Sequence, residues 1–218
     1  MLYLDAGTTY SKIIEIDERG KETRSIIPTG ELSKLNKKFD GATGHLAESY
    51  LKEGVEPQNE ILALAFGSKK ILKNEQSYTI LDIGSRDTKW VRFENGKYKE
   101  LDWNSACASA TGATIEMIGK FYSLDVANLK EEKERYPVTC GVFGMEKIMD
   151  EITRTQKVDA AVAKYIHGVA FNAWNFAQKP EKLYLSGGFC DNNCFVNSLK
   201  FYTEVICLGR FVLVQGLY

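Results

Sequence analysis

The chain carries almost no net charge: 28 lysines and arginines stand against 29 aspartates and glutamates, a formal charge of −1. No global field therefore draws it to nucleic acid or to an anionic membrane. No stripe of basic and aromatic residues offers nucleic acid a stacking platform either. Long hydrophobic runs are missing. The longest apolar stretches, such as residues 61–66, are strand-length and far short of the roughly 20 residues a membrane helix needs. The first residues, Met1-Leu2-Tyr3-Leu4-Asp5, lack a basic start and a long apolar core, so no secretory leader is expected and a cytoplasmic location is. There is no low-complexity segment and no repeat of solenoid length. Histidine is scarce: His45 and His167 lie far apart without a ligand pattern and read as structural. The five cysteines are odd in number, which argues against a disulfide framework in a cytosolic chain.

What is present is ordinary for a globular α/β protein, with 44% hydrophobic and 26% charged residues in 218. That length suits one large domain or two small lobes. Leu2–Asp5 reads as a buried strand, residues 11–17 as its hairpin partner and 23–27 as a third strand. Residues 46–52 suggest a short helix and 61–66 a buried strand. A second strand set follows at 78–83, 88–93 and 98–102, the last two joined by Glu94-Asn95-Gly96-Lys97; Asn-Gly is a strong hairpin signal. Thereafter the pattern is helical at 111–121, 126–135, 145–152 and 158–176, then strand at 183–185, helix at 192–201, strand at 204–208 and the start of a helix at 211–218.

Two segments share one design. Leu4-Asp5-Ala6-Gly7-Thr8-Thr9-Tyr10-Ser11-Lys12 and Leu81-Asp82-Ile83-Gly84-Ser85-Arg86-Asp87-Thr88-Lys89 are each an apolar strand ending in Asp, then a turn at Gly among hydroxyl or basic groups. The Gly lets backbone approach an anion, the turn's N–H groups make an anion-binding concavity, and the Asp can hold Mg²⁺ through water. Each alone is also what an ordinary β-turn looks like. A third segment, Leu185-Ser186-Gly187-Gly188-Phe189-Cys190-Asp191-Asn192, ends a strand in a Gly pair and opens a helix, a surface on which an adenosine can lie. Together the three point to a nucleotide held between two similar halves. Thr8, Thr9, Ser11 and Lys12 are the candidate phosphate contacts of the first turn, and Asp87 is either a further contact or a cap of its own turn. Cys190 and Cys194 read as packing beside the adenosine loop, and Cys207 as core of an apolar strand.

The three segments resemble the two phosphate loops and the adenosine loop of the actin, heat-shock ATPase and sugar-kinase superfamily. Two cysteine segments narrow this. Asn104-Ser105-Ala106-Cys107-Ala108-Ser109-Ala110-Thr111-Gly112 is similar to the N-x-x-C-A-A-G-T-G segment of the ATP-dependent activators of 2-hydroxyacyl-CoA dehydratases and benzoyl-CoA reductases. Val138-Thr139-Cys140-Gly141-Val142-Phe143-Gly144-Met145-Glu146 is similar to their S-T-C-T-V-F-A-E-S-E segment. The family's second phosphate loop usually reads D-I-G-G-Q-D, where this chain has Asp82-Ile83-Gly84-Ser85-Arg86-Asp87, and the stretch from Phe66 to Ser77 is shorter than its counterpart.

The resemblance implies an α/β, two-lobed actin-like ATPase (ribonuclease H-like) fold with a nucleotide cleft between lobes. Residues 1–80, with 205–218 packing back on them, would form the first lobe and 81–204 the second. ATP/ADP and Mg²⁺ are the implied ligands. Asp5 and Asp82 would be catalytic through the Mg²⁺ water shell, and Gly7, Thr8, Thr9, Ser11, Lys12, Gly84, Ser85, Arg86, Asp87, Gly187 and Gly188 would bind nucleotide. Cys107 and Cys140 would be the metal ligands, each in a loop before a helix, for a [4Fe–4S] cluster shared across a homodimer. The implied function is delivery of low-potential single electrons, driven by ATP hydrolysis, from a ferredoxin or flavodoxin to a 2-hydroxyacyl-CoA dehydratase or acyl-CoA reductase. Two other readings stay open: a nucleotide-binding regulatory or scaffold module without turnover, and a small-molecule kinase of the same superfamily.

Overall fold

The structure is a computed structural model, and it describes residues 1–104 and 112–218. These residues form two compact units, Met1–Glu75 with Arg210–Tyr218, and Gln76–Gly209. In the first, β1 (Leu2–Asp5), β2 (Tyr10–Ile16) and β3 (Glu22–Pro28) make an antiparallel meander, and β4 (Gly41–Thr43) runs parallel to β1, giving the order β3-β2-β1-β4. Side chains alternate across the pleat. Leu4 and Ile13 therefore join one core with Leu32, Phe39, Ala42 and Leu51, while Tyr3 and Ile14 meet Val214 on the other face. Val214 belongs to α6 (Val212–Gln215), which packs along α1 (Glu60–Ile71).

The strand expected at residues 61–66 is thus the first half of helix α1. Asn59 caps it, its side chain accepting from the N–H of Ile61 at 2.8 Å and of Leu62 at 3.4 Å. The run is Leu- and Ala-rich, the best helix formers. Ala63, Leu64, Gly67 and Ser68 are buried, a helical stripe, while Leu62 and Phe66 point outward. The helix expected at 46–52 is only a 3-10 turn, Ala47–Tyr50.

The second unit holds a five-stranded sheet in the order β7-β6-β5-β8-β9. β5 (Tyr78–Ile83), β6 (Thr88–Glu94) and β7 (Lys97–Asn104) are antiparallel. β8 (Lys182–Gly187) and β9 (Glu204–Gly209) run parallel to β5. β5 is buried throughout, as a strand covered on both faces must be. Its Leu81 and Ile83 pack with Leu183, Leu185 and the Ala-rich α4 (Val158–Phe176) in one core; burying each such side chain contributes about 1.5–3 kcal/mol. α2 (Gly112–Tyr122), α3 (Gly141–Thr155) and α5 (Asn193–Leu199) complete the unit.

Two expectations change here. Residues 126–135 form no helix. Val126 and Leu129 lean on the core, Asp125 accepts from the N–H of Ala127, and the Ala127 carbonyl receives the N–H of Asn193. A charged stretch without an apolar stripe has little to hold it helical, and these contacts spend its backbone groups elsewhere. β9 is an edge strand beside β8, so residues 205–209 lie in the second unit and not with the first lobe; only Arg210–Tyr218 joins the first unit. No helix of the described residues is long and apolar enough to cross a membrane.

Candidate functional site

In the first unit, Asp5 ends β1 and faces Lys12 across the last rung of the β1–β2 ladder. Cross-strand partners share a face, and the Lys12 Nζ lies 2.9 Å from Asp5 Oδ2. Both side chains are largely buried. The turn between them closes on Gly7, where an added Cβ would stand 2.6 Å from the Tyr10 carbonyl and 3.2 Å from Lys12 Nζ. The ammonium thus sits directly against the glycine backbone. Thr29 donates its hydroxyl to the Gly7 carbonyl at 2.6 Å and lies 3.0 Å from Ser11 Oγ. Ser11 is fully buried and engaged with Thr29, whereas Thr8 is exposed and Thr9 half-buried.

The second unit repeats the arrangement. Asp82 on β5 pairs with Lys89 on β6, one rung before the ladder ends at Ile83 and Thr88. Lys89, 2% exposed, sits 3.7 Å from Asp82 Oδ2 and 3.2 Å from Asp87 Oδ2. Ser186 donates to Asp82 Oδ1 at 2.6 Å, and the Trp103 indole N–H donates to Asp87 Oδ2 at 2.6 Å. The turn is anchored as well: Gly84 N–H reaches the Asp87 carbonyl at 2.9 Å, and the first turn of α2 donates back to Gly84 and Ser85. Ser85 is half-buried and Arg86 exposed. Gly187 has φ +91°, and a Cβ there would lie 2.5 Å from the Ile83 carbonyl and 3.1 Å from Asp82 Oδ1. Only glycine suits both the left-handed backbone and that approach. Gly188 beside it meets nothing within 4 Å, which leaves its face open.

Each group of site residues is therefore local to its unit: Asp5, Gly7, Thr8, Thr9, Ser11 and Lys12 in the first, and Asp82, Gly84, Ser85, Arg86, Asp87, Gly187 and Gly188 in the second. Sequence reasoning overlooked Lys89, Ser186 and Trp103 as members. A signal for Lys89 was available, since Asp is followed seven residues later by Lys in both segments. Nothing in the sequence marks Ser186 or Trp103, which arrive from other strands.

Cys140 is the N-cap residue of α3, half-buried and extended, and makes no side-chain capping bond. Its thiol stands at the positive end of a 15-residue helix. Cys107 lies outside the described residues. No group of three or more His, Cys, Asp or Glu able to hold a metal occurs among the described residues. His167 is buried between the Glu134 carbonyl and the Tyr202 hydroxyl, and burial holds its imidazolium below the usual range. Cys194 is core, its thiol pushed up to about 12 by burial. Cys207, expected in the core, is exposed; β9 is the edge strand of its sheet, flanked on one side only, and none of its residues is fully buried.

No family model matches the chain. It is 24% identical, over 88% of its own length and 83% of the relative's, to the (R)-2-hydroxyglutaryl-CoA dehydratase activating ATPase of Acidaminococcus fermentans. It is 24% identical to the 2-hydroxyisocaproyl-CoA dehydratase activator of Clostridioides difficile, over 60% of this chain and 54% of that one. Among solved structures, the activator of 2-hydroxyisocaproyl-CoA dehydratase from Clostridium difficile with bound ADPNP superposes with a TM-score of 0.82 at 22% identity, covering 100% of this chain and 92% of the other. The fold is that of the actin-like ATPases, and the chain is similar in sequence and in fold to the dehydratase activators.

Proposed function

We propose that this chain, like the activators it resembles, is an ATP-dependent activator of a partner enzyme of the 2-hydroxyacyl-CoA dehydratase or acyl-CoA reductase type. One observation carries the reading. The Asp–Lys turn occurs twice, in the same register, in a chain similar to an activating ATPase over 88% of its length. In each turn a lysine neutralises a buried carboxylate. Such a pair accommodates a Mg²⁺–phosphate group well, because the carboxylate can turn to the ion's waters while the ammonium turns to a phosphate oxygen. Lys12, already against the Gly7 backbone, is placed for this. Mg²⁺, when bound, offsets phosphate charge. Asp5 and Asp82 would hold its water shell, Gly7, Thr8, Thr9 and Lys12 would bind phosphates, and Ser11 would hold the turn through Thr29. Ser186 and Lys89 would orient Asp82, Gly84–Asp87 would line the second phosphate position, and the open face of Gly188 would take the adenosine.

The donor set also suits a cluster. Cys140 offers a half-buried thiol at a helix N-terminus, and Cys107 precedes α2 in the sequence. Two thiolates per chain meet the four of a [4Fe–4S] cluster only in a homodimer. When bound, such a cluster supplies a low-potential one-electron carrier. The chain's own part is to offer the two thiolates and to alter their surroundings when nucleotide is exchanged, accepting electrons from a ferredoxin or flavodoxin.

The test is iron and acid-labile sulfide per dimer after anaerobic purification, on wild type and on Cys140→Ala, with ATP hydrolysis measured on wild type and on Asp82→Asn. About four iron per dimer, lost in the cysteine variant, is expected, together with a fall of about a hundredfold in hydrolysis for Asp82→Asn. Absence of iron from both samples overturns the electron-transfer reading. A cluster-loaded dimer that binds ATP without hydrolysing it favours the regulatory module, the reading that Ser85 and Arg86 motivate where the family has Gly and Gln.

A further inference from the structure

We propose that Cys190 and Cys207 form a reversible disulfide, making the loop after β8 and the edge strand β9 a site of oxidative modification. Cys190 lies in the 3-10 turn Gly188–Asp191, which begins directly after the positive-φ Gly187. Its sulfur is 3.2 Å from the Leu185 carbonyl and 3.9 Å from that of Gly209. Leu185 is the parallel-ladder partner of Cys207. The turn thus folds Cys190 back over the β8–β9 ladder, between the carbonyls of Leu185 and Gly209 and beside the strand position of Cys207. A disulfide between neighbouring positions forms when the sulfurs close to roughly 2.05 Å.

The two thiols also divide the labour of the reaction. Cys207 is exposed and open to a reagent; Cys190 is half-buried and screened behind it. The neighbouring Cys190 and, less strongly, Lys200 hold the Cys207 thiol below its usual range, against burial and Asp191. The neighbouring Cys207 and burial raise Cys190. Thiolate is the nucleophile, so Cys207 attacks first. With a low-molecular-weight disulfide as oxidant, the Cys207 thiolate attacks one sulfur of that reagent, forms a mixed disulfide and releases one thiolate. Cys190 then gives up its proton, attacks the Cys207 sulfur and releases the second. The protein loses two thiol hydrogens and two electrons, and the reagent becomes two thiols. Cys194, buried on α5, faces the core and takes no part. This inference stands whether or not the chain hydrolyses ATP.

The test treats the folded full-length chain with oxidised glutathione, alkylates remaining thiols and maps the peptides by mass spectrometry. In wild type a peptide joining Cys190 to Cys207 is expected, released by a phosphine reductant. Cys190→Ser should stop at a glutathione adduct on Cys207, and Cys207→Ser should give neither product. Before oxidation, Cys207 should alkylate at least about tenfold faster than Cys194. The proposal is overturned if wild-type Cys190 and Cys207 both stay free, if a glutathione adduct on Cys207 persists unresolved, or if either residue links to another cysteine. The wild-type map decides even where a serine variant fails to fold.

Discussion

The two Asp–Lys turns have one register and two different surroundings. Lys12 meets the Asp5 carboxylate at 2.9 Å and keeps 15% of its side chain exposed. Lys89 stands between two carboxylates, keeps 3% exposed, and has Ser186 and Trp103 fixing both of its partners. The first is an ion pair at a strand end that water partly reaches. The second is a network centred on the buried Lys89 in which each carboxylate has a second donor, and such networks are rigid when complete and costly when broken. One turn of this chain is therefore built to adjust and the other to hold still.

Removing the cation from each turn separates the two cases most strongly. Lys89→Met leaves Asp82 and Asp87 uncompensated in the interior, and a loss of about 3–5 kcal/mol is expected in urea unfolding. An effect below about 1 kcal/mol would mean the network is not rigid at all. Ser186→Ala removes one hydrogen bond to the Asp82 carboxylate and should cost about 1.5–3 kcal/mol by the same measurement. Lys12→Met breaks a pair that water partly reaches, so about 1–2 kcal/mol is expected; a loss matching that of Lys89→Met would erase the contrast between the turns. Trp103→Phe is the mildest change. It takes one donor from Asp87 on an exposed side chain, and about 0.5–1.5 kcal/mol is expected.

Much of this was legible in the sequence, for physical reasons. Strand β2 is legible in its alternation, β5 in its unbroken apolar run, and the β6–β7 hairpin in the Asn95-Gly96 turn that joins its strands. The Asp and Gly of each turn were legible because chemistry and backbone demand coincide there. The run Ile61–Phe66 misled because a short apolar run has no distinct period; the cap that decides it, Asn59, lies just outside the run. Residues 126–135 misled because charge suggested a solvated helix, while the backbone bonds that prevent one come from a distant segment, Asn193. Ser186 was named only as part of a glycine loop. Its pairing with Asp82 is a product of the parallel β5–β8 ladder, which no local pattern encodes.

The shared register has a consequence for how these turns can vary. Six residues separate Asp from Lys in both segments. Surface turns ordinarily absorb an added residue at small entropic expense. Here one extra residue taken up by the strand would turn the lysine to the opposite side of its sheet, away from the aspartate. Length in these two turns is as constrained as identity is, and homologous chains should differ there by substitution and never by a single insertion or deletion. A one-residue insertion between Thr8 and Thr9 that left stability and nucleotide affinity unchanged would show the turn absorbing the length by itself.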